Sequence, residues 1–409
     1  MNAASNLPMG NPFSGRENPL PVVDTPIADR IALRVGINGI PLLSPATGIG
    51  QYTRHLAVEL NKRLAEPPTL FYGTSWSETI RTASLPGVSS ARAAIKRVPG
   101  AVSCARALMQ YRFSSGARAQ RVELYHEPAF LAWRFRGPTV VTVHDLSIVH
   151  YAHTHPAERV RRMEQLLPGS VARADHIVVD SEFVRGEVIS HFGISPSKVT
   201  TTLLGVSPDF APRTAAACAA ALREYDLEPG KYLLTVGTIE PRKNLQTTLT
   251  AFSRLPAELR RRYPLVIAGM PGWGESPMGE AFAALRDKGE IRLVGYVPQD
   301  VLPLLYAGAR AFAYPSLYEG FGLPPLEAMA SGVPVIVSDR SSLPEVVGDA
   351  GVKLSPDDVE GMTEHLQRFI EDAGARNAAI AAGLVQAAKF TWAACTEETL
   401  RAYKLALSR

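Results

Sequence analysis

One stretch, residues 314–345, YPSLYEGFGLPPLEAMASGVPVIVSDRSSLPE, constrains the fold more than any other part of the chain. It joins two acids, Glu319 and Glu327, to a glycine-bracketed loop (Gly320-Phe321-Gly322), a Pro324-Pro325 pair and the apolar run Val333-Pro334-Val335-Ile336-Val337. The pattern reads as a strand end, a tight loop, a helix opening at the prolines, and a second strand. Proline suits the first helical turn, where its missing amide hydrogen is no loss, so the free donors fall on Gly320, Phe321, Gly322 and Leu323. Free amides at a helix start favour an anion. Glu319 and Glu327 bracket that loop and suit hydroxyl groups instead. Donors for phosphate and acceptors for sugar together fit a nucleotide-sugar.

A chain of 409 residues exceeds what one hydrophobic core usually covers, which predicts two domains. With 46% hydrophobic and 20% charged residues it has ordinary globular composition. No run approaches the roughly 20 apolar residues that span a bilayer. Cys104, Cys218 and Cys395 have neither disulfide-framework nor metal-ligand spacing and read as inert thiols of a reducing compartment. Residues 1–30, rich in Asn, Pro, Gly and Ser, lack the apolar core of a secretion signal and are expected to form a flexible tail.

The net charge of +4 is too small to argue for nucleic acid. Its distribution says more. Between residues 75 and 121 stand Arg81, Arg92, Lys96, Arg97, Arg106, Arg112, Arg118 and Arg121, against Glu78 as the only acid. Such a segment suits anionic lipid headgroups or a phosphorylated acceptor, and equally suits a solvated helical face.

In chain order, residues 31–37 read as a buried strand, a loop carries Gly48 and Gly50, and a helix over 51–64 has Tyr52, Leu56, Leu60 and Leu64 on one stripe. Gly48-x-Gly50 lacks the third glycine of a dinucleotide fingerprint; a phosphate-facing or acceptor-facing loop and simple turn chemistry both remain open. Strands over 122–125 and 139–143 end in His126-Glu127 and His144-Asp145. Ligands of open parallel sheets bind beyond the carboxyl ends of strands, which makes His144 a candidate. His126 and Asp145 read as candidates or as loop anchors. A strand over 175–181 leads to a helix capped by Ser181. The alternation pauses over 206–228, the expected linker.

The pattern restarts with a strand over 232–237, then Glu240-Pro241-Arg242-Lys243-Asn244 and a helix. Two cations where a helix starts oppose its dipole, and a diphosphate at that junction would explain them. Later strands cover 264–269, 291–297 and 309–315, with Tyr296 and Val297 placed to cover a nucleobase. Glu345 reads as structural, and a last helix spans about 393–407.

Glu319-Gly-Phe-Gly-Leu-Pro-Pro-Leu-Glu327 followed by Ala-Met-Ala-Ser-Gly-Val-Pro-Val resembles the E-x7-E signature of retaining GT-B glycosyltransferases of family 4, and 236–244 resembles that family's phosphate-binding Arg and Lys segment. The resemblance covers the chain after residue 30. It implies an α/β GT-B fold: two Rossmann-like, doubly wound domains facing across a cleft, with the acceptor on residues 31–205 and the nucleotide-sugar on residues 229–388. Residues 389–409 are then a helix crossing back to the first domain. It implies that Glu319 contacts the donor sugar, Glu327 the ribose, Arg242 and Lys243 the diphosphate, and amides from Phe321 to Leu323 the sugar or phosphates. Gly48 and Gly50 match the family's glycine loop, although Gly-Gly is commoner there, and His144 matches the His that approaches the transferred sugar.

The resulting expectation is a retaining hexosyltransferase of cell-surface polysaccharide synthesis. Its donor is a mannose or 6-deoxyhexose on GDP, and its acceptor a saccharide or lipid-linked saccharide. No metal or other cofactor is expected, because the two cations would stabilise the leaving diphosphate. The expected place is cytoplasmic, with peripheral contact at the inner membrane face. The alternatives are a UDP-sugar transferase, an epimerase or phosphorylase of the same fold, and a scaffold that binds nucleotide-sugars without turnover.

Overall fold

The computed structural model describes residues 17–18, 20, 30–43, 48–81, 101–273 and 279–409. Most of the expected tail, the loop 44–47, and Arg92, Lys96 and Arg97 lie outside these. Within the tail, β1 (Glu17–Asn18) pairs antiparallel with residues 80–81.

The apolar runs of the first half become β2 (Val35–Asn38), β3 (Thr69–Phe71), β4 (Trp76–Ser77), β5 (Ile80–Arg81), β6 (Leu124–Glu127), β7 (Thr139–Val143), β8 (His176–Val179) and β9 (Val199–Thr201). Seven of them form one sheet in the order β4-β3-β2-β6-β7-β8-β9. The pairs β2–β3, β2–β6, β6–β7 and β8–β9 are parallel, and β4 is antiparallel to β3. Continuous burial along β2, β6, β7 and β8 is what a parallel sheet covered on both faces requires. Phe71, Phe113 and Tyr125 interlock edge to face beside it, with centroids 5.2 and 4.7 Å apart.

The second sheet contains β10 (Leu233–Val236), β11 (Leu265–Ala268), β12 (Ile291–Gly295), β13 (Ala311–Tyr314), β14 (Val335–Ser338) and β15 (Val352–Leu354), in the order β12-β11-β10-β13-β14-β15. All its pairs are parallel. The helices Leu245–Arg254 and Val359–Glu371 bury Leu249, Phe252, Leu366 and Phe369 against Leu233, Leu265 and Ile336. Each such side chain contributes about 1.5–3 kcal/mol. Both sheets are Rossmann-like, and each reverses its strand order once, at β2/β6 and at β10/β13. The crevice beyond the carboxyl ends at such a reversal is where open α/β sheets hold ligands.

By their contacts the residues group into two compact units, 1–141 with 406–409, and 142–405. Within 206–228, the expected linker, a helix Ala215–Arg223 buries Cys218 and Leu222. Its alanine-rich sequence has high helix propensity. Residues 373–407 together are long and apolar enough by composition to cross a bilayer, where none of the sequence was expected to be; they form two helices, Ala373–Ala387 and Trp392–Leu407. The second starts against residues 202–206: Val206 N–H donates to Phe390 O at 3.2 Å, and the buried Cys395 thiol lies 3.8 Å from Thr202 O.

Gly205 is the tightest point of that approach, since a Cβ there would stand 2.1 Å from Trp392 N and 2.5 Å from Thr391 C. Backbone cannot give way as a side chain can. Gly205→Ala is therefore expected to cost about 1–3 kcal/mol of overpacking, read as a lowered midpoint of urea unfolding.

Candidate active site

The loops that follow β10 and β13 meet at the reversal point of the second sheet. After β10 the chain makes a short 3-10 turn, Pro241–Lys243, and Asn244 adopts the left-handed conformation at φ 51°. The Asn244 amide donates to Pro315 O at 3.1 Å and Pro356 O at 2.6 Å. From the other loop, Leu317 N–H and Ser316 Oγ donate to Arg242 O at 2.8 and 3.1 Å. The two turns are thus joined through their backbones, and Arg242 and Lys243 are brought to Glu319.

Glu319 is 7% exposed. Its Oε1 accepts from Lys243 Nζ at 2.7 Å and from Ser316 Oγ at 2.6 Å, and Arg242 Nη1 stands 3.1 Å from Oε2. Arg242 also donates through Nη2 to the buried Glu240 at 2.7 Å, and Lys243 to Tyr314 OH at 2.6 Å. Burial alone would raise the Glu319 pKa, but the two cations and these hydrogen bonds hold it at about 2. Burial pulls Lys243 below the ordinary lysine value despite Glu319. Arg242 is held above its usual value: burial opposes the charge, and Glu319, Asp145 and Glu240 more than offset it. The Arg242 Nε hydrogen is buried without a partner among the described residues, an orphan donor in an otherwise saturated cluster.

The glycine bracket has a steric origin. A Cβ on Gly320 would lie 2.0 Å from His144 O, and Gly322 sits at φ +119° with Leu343 against its Cβ position. Phe321 turns its ring into the core, 5.8 Å from Phe390. Ser181 Oγ donates to Gly320 O at 2.8 Å, and Ser342 Oγ to the carbonyls of Glu319 and Phe321 at 2.9 and 2.6 Å. The loop's carbonyls are tied down in this way. Its amides at Gly320, Phe321, Gly322 and Leu323 have no acceptor among the described residues. They precede and open the helix Leu323–Ala330, whose first turn carries the two prolines.

His144, just past β7, places Nδ1 2.6 Å from Asp180 Oδ2, just past the neighbouring β8; both are buried. Burial raises the Asp180 pKa and His144 partly reverses it. Asp145 instead accepts from Ser147 N–H and Oγ at 2.9 and 2.7 Å and anchors its loop. His126 is buried on β6, its ring 6.4 Å from Tyr52. Glu345 accepts from the amides of Glu182 and Phe183 and so caps the helix Glu182–Phe192, the structural part expected of it.

Glu327, Tyr296, Val297, Gly48 and Gly50 are the remaining candidates. Glu327, on the helix Leu323–Ala330, keeps its proton up to about pH 8 because burial outweighs the nearby Tyr306 hydroxyl, which forms no well-shaped hydrogen bond with it. Tyr296 is 42% exposed just after β12, and Val297 is buried. Gly48 and Gly50 fall inside the first turn of the helix Gly48–Arg63, which starts earlier than its apolar stripe indicated. Their amides are among the first four of that helix, so they belong to its start rather than to a preceding loop. Sequence reasoning missed Asp180, Glu240 and Ser316. Asp180 was findable, since it ends a buried strand as His144 does. Glu240 and Ser316 carry no signal until the two loops are paired.

The family model described as "Glycosyl transferases group 1" matches residues 223–385, and the one described as "Glycosyltransferase Family 4" matches residues 46–210. An O-antigen chain mannosyltransferase B of Escherichia coli is 41% identical over 376 residues, 89% of this chain and 98% of that protein. Among solved structures, a sucrose-phosphate synthase of Thermosynechococcus elongatus superposes with a TM-score of 0.67 at 18% identity over 92% of this chain and 99% of that one. HepE of Anabaena, solved with UDP and glucose, gives 0.66 at 15% over 91% and 100%.

Glu327 makes a pH dependence that can be isolated. Its folded pKa is raised, so its stabilising contribution is full below about pH 4.5 and is lost as pH rises towards 8. In urea unfolding, Glu327→Gln should therefore gain on the unsubstituted protein between pH 5 and pH 8; an unchanged difference would show that the carboxyl titrates normally.

Proposed function

Because the chain belongs to the family 4 glycosyltransferases of glycosyl transferases group 1, we propose that it transfers a mannosyl or 6-deoxyhexosyl unit from a GDP-linked donor to a saccharide or lipid-linked saccharide, with retention at the anomeric carbon, in cell-surface polysaccharide assembly. The convergence of Arg242 and Lys243 on Glu319 beside the unpaired amides of residues 320–323 carries this reading. The name of the Escherichia coli relative supports the choice of mannose and of polysaccharide.

In this mechanism the donor diphosphate lies against the amides of Gly320 to Leu323, with Arg242 and Lys243 facing the oxygens on which charge develops. Preorganised cations in a dry site stabilise that charge strongly, so no divalent ion is required. Glu327 meets the ribose hydroxyls; as a neutral acid it both donates and accepts. Tyr296 and Val297 cover the base. Glu319 orients the transferred sugar, and His144, held through Nδ1 by Asp180, turns its ring towards that sugar.

A carboxylate held at about 2 by two cations is a weak nucleophile and a weak base. This favours front-face transfer: the acceptor oxygen bonds to the anomeric carbon on the side from which the phosphate oxygen departs. The acceptor proton passes to that phosphate oxygen. Gly48 and Gly50, at a helix start, belong to the acceptor side.

By the same proposal the chain works in the cytoplasm, in peripheral contact with the inner membrane face. On the helix Ala101–Ala119, Leu108 and Tyr111 are 58% and 69% exposed among exposed Arg106, Arg112 and Arg118. Apolar and basic side chains together suit an anionic bilayer surface.

With GDP-mannose and an acceptor, turnover should survive EDTA, and Lys243→Ala should lower kcat by about 10²–10³. Loss of activity on chelation with recovery on added metal would overturn the metal-free mechanism, and turnover with UDP-sugars alone would reassign the donor. For the membrane, the chain should co-sediment with phosphatidylglycerol vesicles, and an Arg106→Gln, Arg112→Gln, Arg118→Gln variant should stay in solution. Equal sedimentation of the two would remove the proposed contact.

A further inference from the structure

Tyr318 takes part in two sites through its two ends. Its carbonyl accepts a hydrogen bond from Arg242, while its ring lines a pocket of about 460 Å³. All the pocket's lining residues belong to the unit 142–405. Three rings surround that of Tyr318: Tyr151 at 5.3 Å, Phe183 at 5.9 Å and His150 at 6.3 Å between centroids. Phe183 is 37% exposed although it is large and apolar.

Polar groups converge on the same space. The Glu187 carboxylate accepts from the Tyr318 hydroxyl and lies 3.3 Å from His150 Nε2, and burial raises its pKa. Arg340 lines the pocket with more than half of its side chain exposed. Ser341, also lining it, holds a left-handed backbone at φ 52° and accepts from Glu319 N–H at 2.8 Å. Backbone strain of this kind clusters at ligand clamps.

Aromatic walls with a few converging polar groups and a volume of several hundred Å³ form a small-molecule site. The walls suit the apolar face of a pyranose, a carboxylate suits its hydroxyls, and the guanidinium donates to the same ring of oxygens. We propose that this pocket binds a pyranose unit of an oligosaccharide, apart from the sugar being transferred. Such a site would hold an acceptor or product chain beside the transfer site, and it reaches Glu319 and Arg242 through Ser341 and the Tyr318 carbonyl. It rests on the proposed transferase activity for the kind of glycan, and on the pocket itself for the rest.

The test uses the full chain and α-linked mannotriose as probe, with binding followed by saturation-transfer NMR and titration calorimetry. Binding should persist in Lys243→Ala and weaken at least about tenfold in Phe183→Ala and Glu187→Gln. Phe183→Ala should leave thermal unfolding and GDP-mannose binding unchanged, which separates failure of this site from failure of the donor site. The proposal is overturned if mannotriose does not bind, if it binds Phe183→Ala as well as the unsubstituted chain, or if Lys243→Ala alone abolishes binding.

Discussion

Arg242 and Lys243 are cations with little water around them, and Glu319 is the carboxylate that makes their burial tolerable. An unpaired charge in such a place costs several kcal/mol even after relaxation. Glu319 meets one cation with each oxygen, and Glu240 takes a second edge of the guanidinium. For this to hold, the ends of β10 and β13 must lie side by side and their loops must be joined. The Asn244 amide and the bonds from residues 316 and 317 to Arg242 O do that. The crevice at that strand reversal is thus a condition of the charge balance as well as a result of the strand order.

The same balance bears on chemistry. In the mechanism proposed, a cluster whose charges are already matched would receive the diphosphate through donors not yet engaged, the unpartnered Arg242 Nε and the four loop amides, while Glu319 keeps its two cations.

Much of this was legible in the sequence, for identifiable reasons. Buried parallel strands are written as continuous apolar runs, so the two sheets could be read, and proline at a helix start gave the helix after the glycine loop away. Motif spacing placed Arg242, Lys243 and Glu319 as candidates because the chemistry of a phosphate and a sugar needs those types. The partners of those residues were not legible. Ser316 and Glu240 matter only after two loops distant in sequence are paired, and Asp180 only after β8 is set beyond β7. The need for glycine at 320 was equally hidden, since its cause is the carbonyl of His144. The early start of the helix at Gly48 was missed because its first turn has no apolar stripe. The alanine-rich helix within 206–228 was missed because it lacks the alternation that marks an α/β repeat.

The close approach at Gly205 also bears on the order in which the protein can be made. The segment 202–206 is finished only when Phe390, Trp392 and Cys395 arrive beside it, and residues 406–409 group with 1–141. A nascent chain emerging from the ribosome therefore carries an early portion whose packing waits on residues synthesised long after it. Until those residues emerge, the segment 202–206 lacks the partners it packs against in the folded protein, and such incomplete packing is where misassembly starts.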